Sequence, residues 1–473
     1  MATAITDTTG GSRVNSQARR RKDINMNFLR ADLLEGKIGR SLIIFTIPIF
    51  IANLFQQLYN TVDIMVVGYC LGESSLAAIG STASIYELLV GFAVGVGNGL
   101  AIVTARSFGM KDEDHLKKTV AGSIVIGACL SAAIMLFSRF GLVSMMEILQ
   151  TPSDLMAEAY SYISLVTMCV GVMFAYNLAA GMLRAVGDSL SPLIFLVLSS
   201  VLNVILDIVF IKYVGMGIEG AALATVISQG VSAVLCIVFI LIKVKILIPS
   251  GRHFRAGTDI YLELMAQGFS NGFMLSIVSL GTVMIQYGIN GLGKLTIAGH
   301  TASRRLSYFF MMPLLTLGIA FSTFASQNKG ADQRERIIKG FKVASAMSVF
   351  MAALLCIASF LWSEQLVTLI SGSDVDEVIA IGTRYMKWNG PFFWIVGVLF
   401  LLRNMAQGIG RKVAPLVSSI IECAGKFLFV LLLVPKFGYF AVIICEPVMW
   451  ILMTLQLSIC FAFDPYLRGK GDK

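Results

Sequence analysis

"SLIIFTIPIFIANLFQQLYNTVDIMVVG", residues 41–68, decides the fold class of this chain. Its apolar run is longer than the roughly 20 residues that a helix needs to cross a bilayer. One carboxylate, Asp63, lies inside it. A carboxylate at the centre of a membrane helix costs at least about 2.5 kcal/mol, so it marks a candidate functional site.

Similar apolar runs recur along the whole chain. Mean hydropathy is +0.80 and only 14% of the residues are charged, against about 25% in an average soluble protein. The pattern predicts an all-α polytopic membrane protein. We place its twelve transmembrane helices at residues 41–68, 81–105, 119–137, 157–180, 191–211, 219–242, 262–288, 298–325, 343–362, 386–407, 415–434 and 440–461.

The distribution of basic residues predicts the orientation. The side that holds both termini carries 28 of the 37 lysines and arginines, and an excess of positive charge marks the cytoplasmic side. We therefore expect a multi-pass protein of the plasma (cytoplasmic) membrane with both termini in the cytoplasm. The net charge of +9 is interpreted as an orientation signal and a contact with membrane lipid, not as a nucleic-acid site. Arg304, Arg305 and Arg403 lie near predicted helix ends, where we expect them to extend toward the interface.

An internal repeat predicts the architecture. "LAAIGSTAS" (76–84) shares five of nine residues with "LTIAGHTAS" (295–303), and "VGDSLSP" (186–192) aligns with "IGRKVAP" (409–415). Two six-helix halves enter the membrane in the same direction, so we expect two parallel repeats around a central cavity. The predicted divisions are a cytoplasmic segment 1–40, lobes 41–242 and 262–461, a cytoplasmic linker 243–261 and a cytoplasmic tail 462–473.

Several motifs carry a family resemblance. They include "QQLYNTVDIMVVG" (56–68), "NLAAGMLRAVGDSLSP" (177–192), "LNVILD" (202–207) and "GIEGAALATVISQ" (217–229). Over residues 38–460 the sequence resembles the multidrug and toxic compound extrusion (MATE) family, in its DNA-damage-inducible-F-like bacterial branch. The resemblance implies a secondary exporter that expels cationic or amphipathic compounds in exchange for H⁺ or Na⁺.

The resemblance also implies a set of functional residues. Matching the motifs implies a coupling site for a cation or proton formed by Asp63, Asp207, Asn203, Asn177 and Thr225. The two aspartates are also possible ligands of Na⁺. Tyr59 is implied as a residue of the substrate cavity. A second branch of the family has acids in helices seven and ten, where this chain has apolar residues near Val278 and Val396. This departure favours a coupling site in the first half.

Helical spacing also favours a functional site in the first half. Gln56, Asn60 and Asp63 are spaced i, i+4 and i+7, which places them on one helix face, and we assign Gln56 and Asn60 to the substrate cavity. Asn203 and Asp207 are spaced i, i+4 on helix five. Two neighbouring carboxylates in a place with little water can share a proton near neutral pH. These groups could also serve only to hold helices together.

Helix one contains Pro48, which leaves a carbonyl unpaired and provides for a bend. The second half lacks these acids: when the two halves are aligned, Met284 and Val430 occupy the positions of Asp63 and Asp207. Helix eleven carries Glu422 and Lys426 in the favourable i, i+4 order. We predict an ion pair facing the interior, with a structural or a substrate-cavity role.

Two other functions compete with that of an exporter. A flippase for a lipid-linked sugar would need several basic residues in its cavity to hold pyrophosphate, and Lys426 is the clear intramembrane base. An intramembrane enzyme would need a nucleophile and base or a metal set at membrane depth, which we do not find. We expect no cofactor besides the coupling ion, small-molecule drugs or toxic organic cations as partners, and a monomer.

Overall fold

The computed structural model describes residues 31–469, and all regular elements among them are helical. The helices are α1 Ile38–Leu71, α2 Glu73–Gly109, α3 Glu113–Ile148, α4 Met156–Met168 with Val170–Ala185, α5 Leu190–Tyr213, α6 Ile218–Lys243, α7 Thr258–Asn290, α8 Lys294–Gly330, α9 Arg334–Ser371, α10 Asp376–Gly408, α11 Val413–Phe437 and α12 Tyr439–Ala462.

The predicted fold class is confirmed. Within the described residues, eleven helices are long and apolar enough to span a membrane, and the two parts of α4, bent by 46°, form a twelfth span. The predicted ends of several helices are wrong. Helix α3 covers 113–148 rather than 119–137, and α9 covers 334–371 rather than 343–362. Hydropathy detects only the segment that matches the bilayer core, whereas the backbone continues helical through the polar turns outside it.

The repeat is visible in the irregularities of the helices. Helix α4 breaks at Cys169, and α10 is interrupted at Gly390–Phe392 by a 3₁₀ turn. Helix α5 ends in a π-helical turn, Val209–Tyr213, and α11 carries another at Phe429–Leu433. Because these breaks fall at corresponding places, α4 and α5 repeat the backbone design of α10 and α11.

Two helices cross between the halves. Leu42, Phe45 and Ile49, at the start of α1, are buried in the hydrophobic core of the second half, whereas α1 goes on to pack against α5. Helix α7 does the reverse: Leu264 is buried in the core of the first half, and Gly281 farther along contacts Lys426 of α11. The division into lobes 41–242 and 262–461 stays a prediction, and packing crosses it at the starts of α1 and α7.

The connecting segments at one end of the bundle are tied to the helices. In the predicted linker, the side chain of His253 is 2% exposed and its Nε2 lies 3.2 Å from Asp114 Oδ1 of α3. Residues 31–37, which we call the strap, lie at the same end, where the Ala31 amide donates to the carbonyl of Gly187 over 3.2 Å and Lys111 lies 3.5 Å from Glu35. Residues 1–30 of the predicted N-terminal segment and 470–473 of the predicted tail lie outside the described part of the chain.

Candidate functional site

Small residues let the two halves meet closely at the end that carries the strap. A methyl group added to Gly95 of α2 would lie 2.8 Å from the Cα atom of Gly272 of α7. Hydrogen bonds cross at the same level: Asn271 Nδ2 donates to the carbonyl of Gly95 over 3.1 Å, and Ser326 Oγ donates to that of Ile102 over 2.6 Å. We call this contact between residues 95–109 and residues 267–272 and 326–330 the seam.

A cavity of about 380 Å³ lies between the halves, next to the seam. Helices α1, α2, α4, α5 and α6 line it from the first half, and α7, α8 and α10 from the second. The predicted central cavity is therefore present. Asn98 and Asn271 of the seam form part of the cavity wall, and the seam continues toward the strap in the close contact of Gly109 with Gln327.

The cavity wall is polar but contains few charges. Arg184 of α4 and Arg403 of α10 are the charged lining residues among the part of the chain described, and no carboxylate lines the wall there. Eight carboxamide side chains supply most of the remaining polarity: Asn53, Gln56, Asn98, Asn177, Gln229, Asn271, Asn404 and Gln407.

Asp63 of α1 and Asp207 of α5 form a pair in the first half. Their carboxyl groups lie beside each other, and a hydrogen bond between them would require a proton on one of the two. Asp207 is fully buried and Asn203 is 1% exposed. Asn203 Nδ2 faces Thr225 Oγ1 at 3.5 Å. The structure thus brings together four of the five residues assigned to coupling.

Several oxygens of this pair lack partners. Asp63 Oδ1, both carboxylate oxygens of Asp207 and Asn203 Oδ1 are buried without a hydrogen-bond donor among the described residues. Buried polar atoms of this kind are rare in proteins and call for an explanation. A proton or a Na⁺ ion would supply the missing interaction, because hard cations prefer oxygen ligands.

Tyr59 connects the acid pair to the cavity. Its side chain lines the central cavity and also a narrow space that reaches Asn203 and Thr225. Gln56 lines the central cavity one turn away. A change in the acid pair can therefore reach the cavity wall through a single helix turn of α1.

The other assigned residues have varied positions. Asn177 lines the cavity, and its Nδ2 donates to the carbonyl of Met173 over 2.8 Å. Asn60 is exposed and does not border the cavity. Pro48 lies inside α1, one residue before the cavity-lining Ile49, and α1 continues as a single helix through it.

The predicted Glu422–Lys426 ion pair is present, with Nζ 3.0 Å from Oε1. It belongs to a larger network, since Lys426 Nζ also lies 3.1 Å from Glu446 Oε1 and Arg403 Nη2 lies 3.4 Å from Glu422 Oε2. Arg304 completes it at 3.6 Å from Glu446. Neither Glu422 nor Lys426 lines the central cavity; they reach it through Arg403.

The sequence interpretation of Arg403 was wrong. Arg403 does not extend to the interface: it is 9% exposed and faces the cavity. Arg304 is partly exposed and ion-paired with Glu446, and its extension toward the interface stays a prediction. Arg184, which lies between the predicted helices 157–180 and 191–211, belongs to the last turn of α4 and lines the cavity. The signal that could have revealed Arg403 was the polar group "RNMAQ" (403–407) at the end of an apolar run.

Two repeats of six helices around a polar cavity, with an acid pair buried beside it, define a polytopic membrane transporter. The chain belongs to the MatE family. The model of that family matches it twice, over residues 48–209 and 272–432. Each match lies within one of the two repeats and runs from its first helix to its fifth. The family consists of transporters rather than enzymes.

Curated relatives cover most of the chain. A "Probable multidrug resistance protein YpnP" from Bacillus subtilis is 26% identical over 83% of this chain and 87% of the relative. A "Multidrug export protein MepA" from Staphylococcus saprophyticus is 23% identical over 82% and 85%.

Solved structures show the same fold. A MATE protein in complex with MaL6 gives a TM-score of 0.84 at 21% identity and covers 92% of this chain and 98% of its own. An outward-facing multidrug resistance MATE family transporter gives 0.83 at 20% identity over 93% and 98%. A transporter from Pyrococcus furiosus, whose binding pocket is described as having reverse polarity, gives 0.82 at 21% identity over 90% and 96%.

Proposed function

We propose that this protein is a secondary active multidrug exporter. It expels amphipathic small molecules through the central cavity by alternating access, in exchange for H⁺ or Na⁺. Asp63 and Asp207 hold the coupling ion, with Asn203 and Thr225 beside them. The names of the curated relatives support export of drugs.

One observation carries the coupling proposal: two carboxyl groups lie together in the interior with oxygens that find no donor among the described residues. A permanent charge there would be very unfavourable. Binding of one proton or one Na⁺ lowers the negative charge of the pair by one and so reduces that cost, and release of the ion restores it. The conformation of α1 near Tyr59 then depends on whether the ion is bound.

The excess of lysine and arginine on one side supports an orientation of the protein in the membrane. The seam and the strap lie at the end that we assign to the cytoplasm. In that orientation the cavity is closed toward the cytoplasm. Loading of substrate then requires the seam to open, and binding of the ion favours one of the two arrangements.

Reconstituted vesicles test this function. Efflux of a fluorescent amphipathic dye is measured with a pH gradient and a sodium gradient imposed separately. We expect one gradient to drive efflux in the unmodified protein and in the control Asp154→Asn, which changes an exposed acid. We expect Asp63→Asn to remove the response to that gradient. Gradient-driven efflux that persists in Asp63→Asn contradicts the proposal.

A flippase for a lipid-linked sugar is the second candidate. It is favoured by the two cavity arginines, because guanidinium groups bind phosphates well. The test is scrambling of a fluorescent polyprenyl-pyrophosphate disaccharide in the same vesicles, measured by dithionite quenching. Accelerated scrambling without ion-driven dye efflux would favour this function.

A further inference from the structure

The central cavity carries positive charge and no negative charge on its described wall. Arg184 reaches it from the first half and Arg403 from the second. The carboxamides that line the rest are neutral, and they can donate to or accept from almost any ligand. Recognition of charge in this cavity therefore depends on the two arginines.

Arg184 is available for a ligand. No hydrogen bond or ion pair joins its guanidinium group to another residue in the described part of the chain. Its electrostatic neighbours are Tyr176 and Cys236, whose side chains are ordinarily neutral at pH 7. Arg184 is partly buried, and a guanidinium group in a place with little water is normally paired, because an isolated charge there is costly. Arg184 has no such compensation from the protein.

Arg403 is fixed rather than available. Its Nε donates to Ser418 Oγ over 3.0 Å, and its Nη2 lies 3.4 Å from Glu422. The network of Arg304, Arg403 and Lys426 with Glu422 and Glu446 contains three cations and two anions. Its formal charge is therefore positive by one. The second half adds to the positive field of Arg184 and does not neutralise it.

The acid pair of α1 and α5 lies outside the central cavity. Asp63 and Asp207 do not line the central cavity, and Tyr59 stands between the cavity and the space that reaches Asn203. The coupling ion thus has its own oxygen-rich site. An anionic ligand in the central cavity would not be in contact with the carboxylates.

We propose that the central cavity selects amphipathic compounds that carry an anionic group, a carboxylate, sulfonate or phosphate, and that Arg184 binds that group. A guanidinium group offers a planar pair of donors that matches such anions. Tyr59, Tyr86 and Met274 on the wall accommodate the apolar part of the ligand. This inference rests on the proposed export function, and it reverses the cationic preference implied by the family resemblance.

Equilibrium binding of two dyes with the same xanthene skeleton tests the charge preference. Fluorescein is anionic and rhodamine 123 is cationic. We measure their anisotropy on titration with the purified full-length protein in detergent. We expect the unmodified protein to bind fluorescein about tenfold more tightly, which corresponds to about 1.4 kcal/mol. A preference for rhodamine 123 would overturn the proposal without any variant.

Variants then locate the effect. We expect Arg184→Gln to weaken fluorescein binding about tenfold and to leave or improve binding of rhodamine 123. Arg184→Lys keeps the charge and should retain part of the affinity. Arg139→Gln removes an exposed arginine of α3 and should change neither dye. Equal weakening of both dyes by Arg184→Gln, or no change for fluorescein, contradicts the assignment.

The binding test is independent of ion coupling. A protein that prefers fluorescein through Arg184 but shows no gradient-driven efflux supports the charge selection and refutes the export function. A protein that exports rhodamine 123 with a gradient, unaffected by Arg184→Gln, supports export and refutes the charge selection. The two proposals can therefore fail separately.

Discussion

The backbones of Gly99 and Gly268 face each other across the two halves, so closely that a methyl group on Gly99 would lie 2.7 Å from the Cα atom of Gly268. The same methyl group would lie 2.6 Å from the carbonyl oxygen of Gln267. Both contacts are with backbone atoms, which cannot rotate away. Glycine at this position allows the seam to close, as small residues do between membrane helices generally.

Gly99→Ala should therefore open the seam. We expect it to disfavour the closed arrangement by about 1.4 kcal/mol or more and to slow dye efflux in vesicles about tenfold. Gly91→Ala is the matched control, because it lies on the same helix and its added methyl group would meet nothing within 4 Å. Equal efflux rates for the two variants would show that the seam does not need glycine.

The strap should depend on Arg336. The Nη2 atom of Arg336 donates to the carbonyl of Gly36 over 2.6 Å and to that of Leu33 over 3.2 Å. Arg336→Ala removes these bonds, so we expect faster hydrogen exchange of the strap amides by mass spectrometry. Lys339→Ala on the same helix is the control, since its side chain contacts Glu335 at 3.6 Å and is largely exposed. Unchanged exchange in Arg336→Ala would mean that the strap is held by other contacts.

The charge network predicts an asymmetry between its members. Glu422→Gln leaves Arg403 and Lys426 without their shared anion, and breaking a buried ion pair in this way costs about 3–5 kcal/mol. Lys426→Met leaves two pairs, Arg403 with Glu422 and Arg304 with Glu446. We therefore expect a smaller loss for Lys426→Met, measured by denaturant unfolding in detergent.

The double variant refines this prediction. Glu422→Gln with Lys426→Met should be more stable than Glu422→Gln alone, because the lysine charge is removed together with its partner. Glu147→Gln, at an exposed position, is the control for loss of an acid. If Lys426→Met destabilises the protein as much as Glu422→Gln, the charge balance does not govern stability here.

The acid pair should act as one unit. Since a proton or Na⁺ shared between the two carboxyl groups requires both of them, and an amide neither titrates nor carries charge, Asp63→Asn and Asp207→Asn should each reduce gradient-driven efflux to the background rate. The double variant should be no worse than either single one, because groups that act together are not additive. Additive partial losses would instead indicate two independent ion sites. Asp154→Asn again controls for loss of an exposed acid.

Much of the architecture was predictable from local sequence. Twelve spans and the parallel repeat follow from hydropathy and the internal repeat, and helical spacing places Asn203 and Asp207 on one face of α5. The family resemblance joined Asp63 of α1 to them. The resemblance to the family added Tyr59, Asn177 and Thr225. The Glu422–Lys426 pair was predictable because both residues lie on one helix face, four positions apart.

The cavity charge was not predictable in this way. Arg184 resembled one more basic residue of a cytoplasmic loop, and Arg403 resembled a residue at a helix end. Both became wall residues because α4 and α10 extend to the cavity and turn those faces inward.

The sequence alone determined which segments cross the membrane and where an acid is buried, because hydropathy and helical period are local properties. Only the tertiary structure decided which helix faces meet. It set the start of α1 in the core of the second half, the glycine contacts of the seam and the arginines on the cavity wall. Each of these depends on contacts between residues far apart in the chain, which no local pattern specifies.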